Sequence, residues 1–289
     1  GAVLFDGESH IPGIIEENKT EEQWFNTFKL SPLFSDKYKA CQMMAEDAIL
    51  RNDLVALALD DSYYFFRDFA INAMMQNMVP AEFVQNIKTK SEKDEHSLVR
   101  ESAVRALGSM EVADKTSIYK RILTNEKAYN VIGEALSQLF MESPEDALAI
   151  GEKLATENTA FLTNKIASLY AGSGDPQFNG WFTSKIEQSN PYQMFELCSY
   201  YNLYLLNQKE EVQSQAVGMY KDIAKNTEQN KYKRYIGAAS LFSFKNLLIA
   251  QQLENGVAHD KIIEDISRAI KSIKASEKDR ELIERYSEF

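Results

Sequence analysis

Residues 94–110 read DEHSLVRESAVRALGSM, and the run at 61–74, DSYYFFRDFAINAM, superimposes on its first fourteen positions at an offset of 33. Asp61 falls on Asp94, Arg67 on Arg100, Asp68 on Glu101, Ala70 on Ala103 and Ala73 on Ala106. Phe66, Ile71 and Met74 fall on Val99, Val104 and Leu107. The apolar positions Val99, Ala103, Ala106, Leu107 and Met110 recur at i, i+4, i+7, i+8 and i+11, the stripe of a helix that buries one face. A histidine among carboxylates and arginines invites a chemical reading, but His96 falls on Tyr63 of the previous copy. His96 is therefore expected as a ring near a helix start and not as a catalytic group.

Weaker copies flank this pair. In DKYKACQMM, Lys37, Ala40 and Met44 take the places of the later Arg, Ala and Met or Leu, and YNVIGEALSQLF brings Ala135, Leu136 and Leu139 at about the same period. Each copy is followed by a second amphipathic segment: PAEFVQNIK, ADKTSIYKRIL and PEDALAIGEKL. A helix pair repeating about every 33 residues cannot bury its own apolar face and must stack on the next pair. The expectation is an all-α fold, an α-α superhelix built as a solenoid of antiparallel helix pairs. Asp61, Arg67, Asp94 and Arg100 are read as a structural ladder. The acid caps a helix from its turn, and the arginine offers a planar fork to a carboxylate one repeat away.

The rest of the chain agrees with a helical reading. Among 289 residues only 12 are glycine and 6 proline, and Pro80, Pro144 and Pro191 stand where helices begin, the last two behind the caps Ser143 and Asn190. The balance of 32 basic against 43 acidic residues, net −11, repels a polyanion and excludes nucleic acid as the main partner. Cys41 and Cys198 lie in apolar stretches and are expected as small buried hydrophobes, not as a disulfide or a thiolate metal cluster. No run approaches the ~20 apolar residues that span a bilayer, so a soluble chain without a membrane partner is expected. Cytoplasm and periplasm are equally compatible with it.

Candidate sites are few. His10, His96 and His259 form no His-x-x-x-His pair, so neither a metal ligand set nor a cofactor is expected in this chain. The loop AGSGDP at 171–176 has no strand before it and no Lys-Ser/Thr after it, and is read as a turn. The aromatic cluster from Trp181 to Tyr204 is expected as inter-helix packing ahead of a ligand groove. Lys231, Lys233 and Arg234, with Tyr232 and Tyr235, are the one local mixture of basic and aromatic residues. They are the candidate contact for an anionic group such as a peptide carboxylate, against the plainer reading of a solvated face. No nucleophile with a base and no paired buried carboxylates emerge, so no catalytic residue is assigned.

The order of features resembles a known module. A strand-like AVLFD at 2–6, the stretch IIEENKTEEQWF, a first helix of the DKYKACQMMAED kind and repeats of the form D-x5-R-x2-A-x2-A are similar to the C-terminal helical domain of the aminopeptidase N family of zinc metallopeptidases, the gluzincins, above all bacterial members. The resemblance implies that residues 1–7 are the residual strand or linker of a preceding β domain and that 8–289 form a single HEAT-like α-helical solenoid domain. It implies a non-catalytic role: walling the active-site cavity of a zinc aminopeptidase and controlling peptide access. The partners would be the upstream catalytic and β-sandwich domains and the peptide substrate, with zinc held upstream by His-Glu-x-x-His. That motif does not occur here, so no catalytic or metal residue is carried over. The second reading is a free-standing HEAT-repeat scaffold that binds a protein partner on its concave face.

Overall fold

The computed structural model describes residues 17–45, 52–76, 79–157 and 159–289. The strand and linker expected at 1–7 lie outside them. Every regular element among the described residues is helical, and the helices gather into two compact units, Gly1–Ser143 and Pro144–Phe289.

Unit 1 holds α1 (Glu21–Leu30), α2 (Phe34–Ala45), α3 (Asn52–Leu59), α4 (Tyr64–Gln76), α5 (Val84–Lys93), α6 (Ser97–Gly108), α7 (Lys115–Asn125) and α8 (Tyr129–Glu142). Thr20 starts α1 with a reciprocal cap: Gln23 N–H donates to its hydroxyl at 3.3 Å, and its own N–H donates to Gln23 Oε1 at 2.8 Å. Helices α4, α6 and α8 pack side by side in sequence, while α5 lies against α6 and α7 against α8. That is the two-layer stacking of a helical repeat. The stripe read from the sequence is the contact surface: Val99, Ala103, Ala106, Leu107 and Met110 of α6 and its following turn are all buried. Fully burying Val99 and Leu107 contributes about 1.5–3 kcal/mol each, and the alanines between them let neighbouring helices approach closely.

Unit 2 holds α9 (Pro144–Leu154), α10 (Ala160–Ser173), α11 (Asn179–Gln188), α12 (Pro191–Leu205), α13 (Glu210–Lys225), α14 (Lys231–Asn255), α15 (Asp260–Ser276) and α16 (Arg280–Tyr286). Helices α10, α12 and α14 pack in series, and α9, α11, α13 and α15 lie beside them. Asn190 and Gln193 form a second reciprocal cap at Pro191, where the sequence places a helix start. Gly174 and Gly256 end α10 and α14 at φ +63° and +68°, a left-handed turn that glycine adopts without steric cost. Of the loop expected at 171–176, residues 171–173 close α10, Gly174 and Asp175 make the turn, and Pro176 opens a short 3-10 helix. Helix α15 shows the clearest one-faced pattern, burying Ile262, Ile266, Ala269, Ile270 and Ile273 against α13 and α14. No helix among the described residues is long and apolar enough to cross a membrane.

Candidate functional site

Arg67 donates from Nε and Nη2 to the two oxygens of Asp94 at 2.9 and 2.8 Å. Its Nη1 donates to the carbonyls of Asp61 and Ser62, in the turn before its own helix, at 2.9 and 3.1 Å. Arg100 repeats this one unit on. It forks onto Glu126 at 2.7 and 3.0 Å and donates to the carbonyls of Asp94 and Glu95 at 2.8 and 3.2 Å. Lys37 makes the earlier rung, 2.5 Å from Asp61. Each acid also accepts main-chain N–H groups at the start of the following helix: Tyr63 donates to Asp61, His96 to Asp94, and Lys127 and Ala128 to Glu126. Burial works against the charge on Asp94. Arg67, the His96 N–H and Lys90 nonetheless hold its carboxyl below the usual range. The series ends where Gly133 stands in the arginine register.

A second polar row runs at the same period through Asp68, Glu101 and Glu134. Asp68 accepts from Ser102 Oγ at 2.5 Å, Glu101 from Asn130 Nδ2 at 2.7 Å, and Glu134 from Gln138 Nε2 at 2.9 Å. The alignment of Asp68 with Glu101 was its visible signal.

Two of these turns, before α4 and α6, join the start of α2 in a surface of aromatic rings. Phe34 stacks on Tyr38 at 5.7 Å and meets Tyr63, Phe65 and Phe66 edge-on or tilted at 5.3–5.5 Å. Tyr63 contacts Tyr64, and Tyr64 lies flat on the His96 ring at 3.6 Å. Phe66 and Phe28 root the group in the core, edge to face at 5.3 Å. Phe34 and Tyr63 are each 46% exposed, and Leu98 and Tyr129 are exposed at the starts of the next two helices of the row. Tyr63, His96 and Tyr129 stand 33 residues apart, so the repeat itself spaces the surface. His96 also caps α6, its Nδ1 accepting the Leu98 N–H at 3.4 Å. Asp60 and Glu95, in the same turns, are exposed but paired, Asp60 with Lys90 Nζ at 3.9 Å and Glu95 with Arg67 Nη2 at 3.2 Å.

In unit 2 the aromatic cluster of 181–204 is divided. Phe182, Tyr201 and Tyr204 are buried against one another at 5.1–5.9 Å, whereas Tyr192 and Phe195 are exposed one turn apart on α12. The basic mixture at the start of α14 is also divided. Arg234 is buried, donates to Glu277 and to the Ala224 carbonyl, and Glu277 accepts the Lys278 and Asp279 N–H groups at 2.9 Å each. Glu277 thus starts a helix as Glu126 does, though Arg234 reaches it through a single N–H rather than a fork. Lys231 pairs with Glu281. Lys233 alone of the three borders a cavity, with its Nζ 3.4 Å from the Glu187 carbonyl. Cys41 and Cys198 are both buried thiols. Among the described residues no three His, Cys, Asp or Glu side chains come together as a metal set.

No family model matches the chain, and no curated protein matches it. Among solved structures it is similar to a chain of the complex of CpcE and CpcF of phycocyanin lyase from Nostoc sp. PCC7120, at 13% identity and a TM-score of 0.46, over 92% of this chain and 98% of that one. The resemblance to the aminopeptidase N helical domain drawn from the sequence is corrected by these comparisons: no family model, that of the metallopeptidases included, and no curated protein matches the chain, and the similar solved structure is of a phycocyanin lyase complex. The cavity-walling role, the upstream catalytic and β-sandwich domains as partners and the peptide substrate of a parent enzyme are withdrawn with it.

Proposed function

We propose that the chain is a helical-repeat binding module whose unit 1 presents its aromatic surface to a protein partner. The observation that carries this reading is the unbroken ring series Tyr38–Phe34–Tyr63–Tyr64–His96, in which Phe34, Tyr38 and Tyr63 are exposed, running from the start of α2 onto the turns that the Arg67 and Arg100 forks hold. Tyrosine and phenylalanine give large contact area at low entropic cost and are enriched in interface cores. Monomeric proteins seldom leave such rings contiguous.

The test is co-purification of the tagged chain from its native cells, followed by titration with the purified candidate. Phe34→Ser with Tyr63→Ser should weaken that titration tenfold or more, since a central aromatic anchor contributes about 2 kcal/mol or more. An affinity unchanged by both substitutions would move the interface elsewhere.

A further inference from the structure

Unit 2 carries a cavity of about 570 Å³ between α11, α12, α13 and the start of α14. Its apolar lining is Ile186, Met194, Met219 and Ile223, and Glu187, Asp222 and Lys233 stand on its rim. That size and mixture match sites that take small ligands or short peptide segments, and two methionines give a floor that adapts to differently shaped apolar side chains. The charge on the rim is uncommitted. Glu187 and Asp222 are exposed, and neither carboxylate has an ion-pair partner among the described residues. A groove of equal volume in unit 1 is the opposite case, for there Arg100 is taken by Glu126, Arg121 by Glu92 and Asp94 by Arg67.

We infer that the unit 2 cavity binds a short peptide segment in which a lysine or arginine adjoins apolar residues. The apolar side chains fill the floor over Met194, Met219 and Ile223. The basic side chain meets Glu187 and Asp222. The Lys233 ammonium, held only by one long bond to the Glu187 carbonyl, has N–H donors left for a peptide carbonyl. This site lies in a different unit from the aromatic surface and does not rest on it.

The test is fluorescence polarisation of the full chain with two labelled probes, the hexapeptide Leu-Lys-Leu-Leu-Arg-Leu and its counterpart with Glu at both basic positions. The basic probe is expected to bind at least tenfold tighter. Glu187→Gln with Asp222→Asn should weaken it about tenfold, while Glu254→Gln with Glu264→Gln, which removes equal charge from exposed positions on α14 and α15, should leave it within twofold. Met219→Trp, which fills the floor and keeps the rim charges, should also abolish the preference. Equal binding of both probes, or equal losses in the two double variants, would overturn the assignment.

Discussion

Arg67 and Asp94 lie 27 residues apart and meet through two parallel N–H···O bonds, with both side chains almost wholly buried. Asp94 at the same time accepts the His96 N–H at 3.0 Å, so one carboxylate both joins two repeats and starts a helix. Arg67→Ala leaves that carboxylate and the Asp61 and Ser62 carbonyls without their partner. The expected cost is about 3 kcal/mol, read as a lower urea midpoint. Arg67→Lys keeps the charge without the fork and should fall between. A midpoint unmoved by the alanine would show that the rung contributes nothing to stability.

The ladder also makes stability depend on acid. Asp94, Glu126 and Glu277 are partly desolvated, which opposes ionisation, but their guanidinium partners and capping N–H groups hold all three carboxyls below the ordinary range. The unfolded chain then binds more protons as pH falls through the ordinary carboxylate range near about 4, so the stability these groups contribute at neutral pH is lost there. The melting temperature should be nearly flat between pH 7 and about 5.5 and fall steeply below about 4.5. Arg67→Ala with Arg100→Ala should blunt that slope, and an identical slope in the double variant would contradict the account.

Two glycines separate close packing from open space. A Cβ on Gly237 would meet the Tyr220 carbonyl oxygen at 2.9 Å and the Ala224 nitrogen at 3.2 Å, both main-chain atoms, whereas one on Gly218 meets nothing within 4 Å. Gly237→Ala should therefore destabilise unit 2 by about 1–3 kcal/mol. Gly218→Ala, inside α13, should stabilise by about 0.5–1 kcal/mol. Calorimetry on the two variants checks the opposite signs.

Burial pushes the Cys41 and Cys198 thiols up to about 12. Neither forms thiolate at neutral pH, and neither should react with an aromatic disulfide reagent in the folded protein. Both should react at once in 6 M guanidinium. Stoichiometric labelling of the native chain would contradict the packing of α2 or α12.

The helical stacking of unit 1 is written in the sequence because a repeat shows its period twice over, in the buried stripe and in the Asp and Arg positions. Lys37 is legible as a degenerate rung for the same reason. Glu126 is not, since the register one period after Asp94 falls on Lys127 and the acid has slipped by one residue. Arg234 reads from its sequence as part of a solvated face or an anion contact, because its partner Glu277 lies 43 residues on, outside any repeat. The aromatic surface was hidden for a different reason. Tyr63, Tyr64, Phe65 and Phe66 are consecutive, and only the rotation of the helix start decides that Phe66 turns inward while Tyr63 stays half exposed. The cluster at 181–204 reads from its sequence as inter-helix packing, and its Phe182, Tyr201 and Tyr204 are core.

The central claim is that the ring series running from α2 to the turns before α4 and α6 is the partner-binding surface. A photo-crosslinking residue placed at Tyr63 in the intact chain, and separately at the exposed Arg121 on α7, tests it in native cells. The account predicts one discrete adduct to a second protein from position 63, lost when Phe34 is also changed to Ser, and none from position 121. The same adducts from both positions, or none from position 63, would contradict it.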